Sequence, residues 1–235
     1  MDGIEVVYNL AKSMDKTWED ALKNDVGTAV NVAEAALEAG VKRLVYTGTI
    51  ASYDMSDADQ TITEDTGFPD DMSDRNMYAR SKAECEKRLM QMYHEREFAT
   101  GYCAPRNCGW CRWTACNIGG SDAGMVRVRY NITGTPMMTA RDYFDAIHQA
   151  LGARIRVVPG NLHMFFASDA VKYGLKKYAL RKQGVIRPSL ADWKSRAHFS
   201  PFSNEKLRNE LGWEPETNRD AFVQKAITDA NLIGF

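Results

Sequence analysis

Apolar runs and amphipathic stretches alternate through the first hundred residues. The run Gly3–Tyr8 is short, apolar and β-branched, which predicts a buried strand. A helix follows and ends at Gly40, the residue type that favours a helix end. Its apolar face is formed by Val26, Val30, Ala33 and Leu37. A second apolar run, Val41–Thr47, comes next, so the order strand, helix, strand predicts a parallel βαβ unit.

A polar stretch follows the second strand. Residues Ile50–Asn76 are rich in Asp, Ser and Thr and predict a long loop. Such a loop at the carboxyl end of a strand is where α/β folds place their chemistry. A second long helix is predicted from about Asn76 to Tyr93. One stripe at helical spacing contains Tyr78, Lys82, Cys85, Leu89 and Met92.

The pattern changes beyond Thr139, where short helices and one strand are predicted. The helices are 140–151, 168–180, 204–211 and 218–231, and the strand is 154–158. The stretch 99–129 fits neither pattern.

Composition narrows the function classes. With 235 residues, 44% of them hydrophobic, the chain can bury one good-sized core. A net charge of −1 gives no basic footprint for nucleic acid or for an acidic membrane, so neither is expected as a partner. Five cysteines do not make a disulfide scaffold, which favours a reducing, cytoplasmic location.

A Tyr-x-x-x-Lys spacing occurs three times in the chain. The pairs are Tyr8/Lys12, Tyr78/Lys82 and Tyr173/Lys177. In a helix this spacing puts both side chains on one face, where the lysine ammonium favours the phenolate form of the tyrosine and makes it a usable acid or base. The spacing also describes a half-buried tyrosine beside a solvated lysine, so context must separate the three pairs.

Only the second pair follows a strand and loop rich in small hydroxyl residues, Leu44–Tyr53. With three further segments it resembles the extended short-chain dehydrogenase/reductase family of NAD(P)-dependent epimerases, dehydratases and reductases. Val6–Ala11 is similar to the family's "V-x-H-L-A", Asn24–Val32 to its "N-x-x-G-T-x-N-V", and Ser203–Pro215 to its "K-x-R-x-x-L-G-W-x-P". Asp54 stands where the family's loop carries glycine.

The resemblance implies a fold and a site. The fold would be α/β, a partial Rossmann-like parallel sheet with flanking helices and a smaller, mostly helical carboxyl-terminal region. Tyr78 would be the acid/base, Lys82 would hold the nicotinamide ribose, and Thr49 would hydrogen-bond the reacting oxygen. Leu10 and Ala11 would lie against NAD or NADP. The substrate would be a small molecule with a hydroxyl or carbonyl group, such as a nucleotide sugar, and the assembly could be a homodimer.

Two departures from the family pattern suggest a disrupted relative. No G-x-x-G-x-x-G occurs in the sequence, so the pyrophosphate-binding turn is missing and we expect an amino-terminal truncation. In the stretch 99–129, the codons of Gly101–Trp113 read one nucleotide downstream can encode a string close to the family's sixth strand. The expected regions are therefore a partial NAD(P)-binding domain at 1–98, a disrupted segment at 99–129 and a substrate-side region at 130–235.

The same stretch carries a cysteine cluster. It consists of Cys103, Cys108, Cys111 and Cys116. Its spacing is conceivable for a tetrahedral zinc, but the frame interpretation favours no metal. Two functions stay open: an NAD(P)-dependent enzyme, or a non-catalytic remnant of the family, either an interaction module or a pseudogene product.

Overall fold

The structure, a computed structural model, combines one mixed sheet with eight α-helices among its described residues. It describes residues 3–15, 17–57, 59–96, 100–101, 111–117, 127–134, 138–152, 160–183, 185–196 and 200–229. The strands are β1 Val6–Asn9, β2 Arg43–Thr47, β3 Thr100–Gly101, β4 Cys111–Asn117 and β5 Arg127–Ile132. The helices are α1 Trp18–Ala21, α2 Gly27–Glu38, α3 Met77–Arg96, α4 Ala140–Leu151, α5 Leu162–Gly174, α6 Leu190–Arg196, α7 Glu205–Leu211 and α8 Arg219–Val223.

The predicted parallel βαβ unit is confirmed. Strands β1 and β2 pair in parallel with Val6 opposite Arg43, and α2 connects them in sequence. A π-helical turn, Leu22–Val26, joins α1 to α2. Gly40 follows the end of α2 at φ +64°, a left-handed conformation that glycine adopts without strain. The predicted helix end therefore lies where the sequence placed it.

The sheet continues beyond β2 with strands of both directions. β3 pairs in parallel with β2 over two residues, whereas β4 is antiparallel to β2 and β5 is antiparallel to β4. The sequence analysis expected no regular element between residues 99 and 129. The structure differs, because strand β4 lies within this stretch. Its residues include Trp113 and Thr114, which favour strands. The adjacent strands β2 and β5 both pair with its backbone. The expected boundary at residue 130 falls inside β5.

Helices α2 and α3 supply the main apolar core against the sheet. Small alanines face inward on α2, so its backbone can approach the strands closely. The core consists of Val26, Ala29, Ala33, Ala36, Val41, Leu44, Tyr46, Cys85, Leu89 and Met92. The predicted stripe of α3 is confirmed from Lys82 to Met92, while Tyr78 at its start is exposed. The inward face of α2 is rotated slightly from the predicted one, because Ala29 and Ala36 are buried and Val30 is only half-buried.

The carboxyl-terminal helices form a second, smaller core. The capping box of Thr139 and Asp142 begins α4, which has the predicted bounds. Ala146 and Ile147 of α4 pack against Ala226 and Ile227, which lie in a π-helical turn after α8. The predicted strand 154–158 lies outside the described residues. Helix α5 begins six residues before the predicted position, because the Asn161 side chain caps it through the Met164 amide.

Hydrogen bonds join the loop after β2 to the carboxyl-terminal region. Ile62 and Phe202 form an isolated parallel bridge, with the Ile62 amide donating to Pro201 O at 2.8 Å. Asn76 donates to the buried Asp192 carboxylate of α6 from both its amide, at 2.9 Å, and its side chain, at 3.1 Å. These bonds hold α6 at the start of α3. Among the described residues, no helix is long and apolar enough to cross a membrane.

We predict that the inner face of α3 contributes strongly to stability. Leu89→Ala should lower the free energy of unfolding by about 2–5 kcal/mol, because it opens a cavity in a fully buried position. Leu211→Ala, at an exposed leucine of α7, should change it by about 0.5 kcal/mol or less. Urea unfolding followed by circular dichroism measures both. Equal losses in the two variants would contradict the packing of α3 against the sheet.

Candidate active site

The candidate site lies where β1 and β2 end. Asn9, the last residue of β1, accepts a hydrogen bond from the Ala11 amide at 3.2 Å through its side-chain oxygen. This local bond turns the chain out of the sheet. Leu10 and Ala11, the expected cofactor-binding residues, are both exposed immediately beyond the strand.

Thr49 lies just beyond the end of β2 and is buried. Its hydroxyl oxygen accepts a hydrogen bond from the Ala51 amide at 3.3 Å and caps a 3₁₀ turn, Ile50–Ser52. The Ser52 hydroxyl in turn donates to Ala79 O at 3.4 Å, so this turn lies against the first turn of α3. The structure thereby brings the segment that contains Thr49 against the helical turn that contains Tyr78.

Asn76 begins α3 and orients its first turn. Its side-chain oxygen accepts from the Ala79 amide at 3.0 Å, the usual contact of a helix-capping asparagine. Tyr78 follows in that first turn with 46% of its surface exposed. Its side chain is therefore accessible to a ligand, whereas the lysine one helical turn later is not.

Lys82 is buried, with only 3% of its surface exposed. Its ammonium donates to Thr47 O at 2.9 Å and to Thr47 Oγ1 at 3.4 Å, at the carboxyl end of β2. The ammonium also lies 4.6 Å from the ring centre of Tyr46. Burial lowers the pKa of Lys82, and nearby Lys12 adds to this shift. The acidic groups of Cys85, Asp25 and Glu86 oppose the shift only in part.

The three Tyr-x-x-x-Lys pairs have different environments. Lys177 donates to the Tyr173 hydroxyl at 2.8 Å, but this pair lies on the exposed side of α5 and its extension. Lys12 forms an ion pair with Asp25. Within the described part of the chain, only Lys82 is bonded to the end of a central strand while its tyrosine is open to ligands. The structure thus singles out the pair that the motif context favoured.

Asp25 links the β1 loop to α3 and was missed by the sequence analysis. Its buried carboxylate pairs with Lys12 and accepts from the Ser13 amide at 2.7 Å and from the Ser13 hydroxyl at 2.6 Å. Burial acts to raise the pKa of Asp25, but the hydrogen bonds from Lys12, Ser13 and Ser81 outweigh it and hold the pKa below its usual range. The available signal was an acidic residue inside an otherwise apolar helix face.

The buried thiol of Cys85 lies beside the same lysine. Burial raises the pKa of Cys85 to about 11, with Tyr46 and Lys82 acting in the opposite direction. The thiol is therefore protonated near neutral pH and is a poor nucleophile or metal ligand there. Its place in the core of α3 indicates a packing role.

A polar network supports the loop after β2. The Tyr53 hydroxyl donates to Asn131 Oδ1 at 2.8 Å, and the Asn131 amide of β5 donates to Glu64 Oε1 at 2.6 Å. All three side chains are buried, so the network fixes the loop against the sheet. Sequence analysis missed it because its partners are 67 and 78 residues apart in the chain.

A cavity of about 290 Å³ opens beside the first turn of α3. Met77, next to Tyr78 in sequence, lines it together with the aromatic rings of Tyr173 and Trp193 and the guanidinium groups of Arg75 and Arg187. Aromatic surface with nearby cations suits a ligand that has a planar ring and an anionic group.

Two members of the cysteine cluster, Cys103 and Cys108, lie outside the described residues. Cys111 and Cys116 lie within β4. Within the described ranges, no group of three or more His, Cys, Asp or Glu side chains is arranged to hold a metal ion. The expected absence of zinc stays a prediction.

Comparisons with known proteins place a family model on the amino-terminal part of the chain. Residues 1–110 match the model of the NAD dependent epimerase/dehydratase family. The described site residues Leu10, Ala11, Thr49, Tyr78 and Lys82 all fall within the matched range. The amino-terminal part of the chain, just under half of its length, is therefore similar to the NAD-dependent epimerase/dehydratase family. Among curated protein sequences, none matches the chain at a significant level.

Solved structures share the fold at low sequence identity. The protein gox2253 matches with a TM-score of 0.60 and 16% identity over 97% of this chain and 78% of its own. The Bordetella bronchiseptica enzyme WbmG, solved with NAD, matches with a TM-score of 0.54 and 17% identity over 97% of this chain and 72% of its own. UDP-glucose 4-epimerase from Thermotoga maritima, solved with UDP-glucose, matches with a TM-score of 0.52 and 12% identity over 97% of this chain and 78% of its own. These likenesses show a Rossmann-like α/β fold.

We predict a specific acid dependence of stability from Asp25. Because its pKa is lowered in the folded state, its ionisation stabilises the fold fully above the unfolded pKa, and this contribution is lost as pH falls through the folded pKa. Asp25→Asn should therefore be less stable than the native protein at neutral pH, and the difference should shrink as pH falls below the unfolded aspartate pKa of about 3.9. Asp59→Asn, at an exposed position, is the control. A stability difference between the native protein and Asp25→Asn that stays constant as the pH falls would refute the lowered pKa of Asp25.

Proposed function

We propose that this chain carries the proton-transfer end of an NAD(P)-dependent epimerase, dehydratase or reductase site. The observation that carries the proposal is the Lys82 ammonium, buried at the carboxyl end of β2 one helical turn from the exposed Tyr78. Thr49, at the end of the same strand, belongs to the segment that packs on this turn. A proton donor or acceptor, a positioning hydroxyl and a fixed cation are the groups needed for proton and hydride transfer at a carbinol carbon.

Each residue has a separate role in this proposal. In its phenolate form, Tyr78 would accept the proton of the substrate hydroxyl while the carbon that bears this hydroxyl loses a hydride; in the reverse direction the Tyr78 phenol would return the proton. Thr49 Oγ1 accepts the Ala51 amide, which leaves its own O–H free to donate to the reacting oxygen. The bound nicotinamide supplies the hydride acceptor. This division of roles requires no metal ion.

The nicotinamide end of the cofactor fits the residues present. Leu10 and Ala11 are exposed beside the site, so an apolar ring face can contact them. The Lys82 ammonium has three N–H donors, of which Thr47 takes two. Because Lys82 is only 3% exposed, the third would reach a ribose hydroxyl only if the ribose lies directly against the carboxyl end of β2. Either NAD or NADP is compatible with these contacts, because none of them reaches the adenosine 2′ position.

A nucleotide sugar is the substrate class that we favour. The cavity beside Met77 combines Tyr173 and Trp193 with four basic residues, which suit a base and a diphosphate. Three aspartates also line it, of which Asp169 pairs with Lys172 and Asp192 accepts from Asn76. The Thermotoga maritima relative was solved with UDP-glucose. The substrate would then reach Tyr78 from this cavity, since Met77 lines it.

A non-catalytic remnant of the family is the second candidate. One observation favours it: the 235 residues contain no G-x-x-G-x-x-G, the turn whose amides hold the cofactor pyrophosphate in such folds. The turnover test below separates the two candidates. A cytoplasmic location remains part of the proposal, supported by the buried free thiol of Cys85. A homodimer is also proposed, since β1 lies at the edge of the described sheet and its Tyr8 side chain is exposed.

We predict that this chain binds NAD weakly. Amides at a pyrophosphate turn contribute hydrogen bonds worth roughly 1.5–3 kcal/mol each, so the lack of three would weaken binding by about three to six powers of ten. Isothermal titration with NAD or NADP up to about millimolar concentration should show no saturable heat. Saturable binding at micromolar concentration would contradict this assignment of the cofactor contacts.

We predict that the weak binding occurs through the nicotinamide half. In saturation-transfer NMR with NAD, the nicotinamide and adjoining ribose protons should receive magnetisation, and the adenine protons should not. Lys82→Met should abolish the effect because the ribose loses its donor. Lys177→Met is the matched control, since it removes a lysine at the same spacing on an exposed helix and should have no effect. Transfer to adenine alone, or equal loss in both variants, would rule out the proposed cofactor site.

We further predict that Tyr78→Phe separates binding from proton transfer. The variant should keep the nicotinamide signal, because the phenol is exposed and bonds neither Lys82 nor Thr47 within the described part of the chain. It should reduce NAD-dependent oxidation of an epimerase substrate such as UDP-glucose by at least about a hundredfold, the size expected for an acid/base group. Turnover unchanged in the variant would exclude Tyr78 as the acid/base. No turnover in the native chain would favour the non-catalytic candidate.

A further inference from the structure

The helix α5 and its extension are unusually open to solvent. A π-helical turn, Leu175–Ala179, continues α5 directly, and no residue of either element is buried. Among the described residues, the contacts of this helix with the rest of the protein lie along one side. Phe165 stacks on Trp193 of α6 at 5.7 Å between ring centres, and Tyr173 lines the cavity beside α3.

The opposite side of this helix presents an apolar stripe. It consists of Met164, Val171, Leu175 and Tyr178, whose exposed fractions lie between 46% and 72%. Their spacing of seven, four and three residues keeps them on one helix face. Leu180, directly beyond the helix, is 63% exposed. Single exposed apolar residues are ordinary, but a contiguous stripe of this kind marks an interaction surface.

Basic side chains surround this helix. They are Lys172, Lys176, Lys177, Arg181 and Lys182, and all five are exposed. Those of Lys172 and Lys176 also line the cavity beside α3. The single acidic residue in this segment is Asp169, which pairs with Lys172 at 3.1 Å. The whole chain has a net charge of −1, so acidic residues elsewhere balance this local excess. For this reason the net charge of the whole chain did not indicate a local basic surface.

We propose that this surface, defined by the stripe and the five basic residues and called the basic helix face, docks on an anionic lipid surface. An exposed helix with apolar side chains on one face and lysines beside them lies in the plane of a membrane interface, with the apolar side chains among the acyl chains and the ammonium groups at lipid phosphates. The 18 residues of α5 and its extension make a contact about 27 Å long. This docking does not depend on the proposed chemistry at Tyr78.

Charge and shape favour lipid over the other occupants. A second copy would bring its own five cations against these, and like charges at such short range oppose association. An acidic peptide would need a groove to bury its anchors, whereas this stripe lies on the convex outer side of a single helix. The anionic cytoplasmic leaflet supplies both an apolar layer and the opposite charge.

Vesicle binding tests the proposal with the whole chain. The probes are phosphatidylcholine vesicles and vesicles containing about one-third phosphatidylserine, compared by co-sedimentation. We expect binding only to the anionic vesicles and its loss at high salt. Val171→Glu with Leu175→Glu should abolish it, and Lys177→Glu with Lys182→Glu should weaken it at least tenfold. Leu211→Glu, at an exposed leucine of α7, is the matched control and should bind normally.

The remaining outcomes each count against the proposal. All substituted positions are exposed, so circular dichroism should show an unchanged fold. Absence of binding to either vesicle, or equal binding by the native protein and the Val171→Glu/Leu175→Glu variant, would overturn it. A concentration-dependent dimer in light scattering that this variant abolishes would assign the face to a second copy. Binding to an acidic peptide in preference to vesicles would assign it to a protein partner.

Discussion

The Lys82 ammonium is almost completely removed from water, and its hydrogen bonds go to Thr47 at the carboxyl end of β2. A buried cation is costly unless it is hydrogen-bonded and compensated. Lys82 therefore fixes how α3 lies along the sheet, because a shift of one turn would leave the ammonium without Thr47. The position of Tyr78 follows from this constraint, since it precedes Lys82 by one turn on the same helix.

Two further polar contacts extend the constraint to neighbouring segments. Asp25 holds the loop after β1 through Lys12 and Ser13, and its charge favours the ammonium form of Lys82. The Ser52 hydroxyl bonds Ala79 O and so places the Thr49 turn on the start of α3. The site thus depends on buried hydrogen bonds between elements, and the apolar core beneath α2 and α3 supports them.

Local patterns were sufficient for the elements of the βαβ unit and for α3, because apolar periodicity and a helix-ending glycine act within a few residues. The context of Tyr78 could also be recognised, since its loop and strand adjoin it in sequence. The antiparallel strand β4 could not be predicted, because its pairing with β2 and β5 is a long-range choice. Helix α6 is short and depends on the Asn76–Asp192 bond, which no local pattern encodes.

Titration of the lysine side chains tests the burial of Lys82 most directly. In the protein labelled with ¹³C-lysine, the Cε resonance that is missing from the Lys82→Arg spectrum should titrate at lower pH than the resonance of Lys177, whose pKa is raised. Its pKa is lowered by burial, and the Thr47 hydrogen bonds should keep the signal sharp. A Lys82 resonance that titrates together with that of the exposed Lys177 would show a solvated ammonium and would contradict the account of the site.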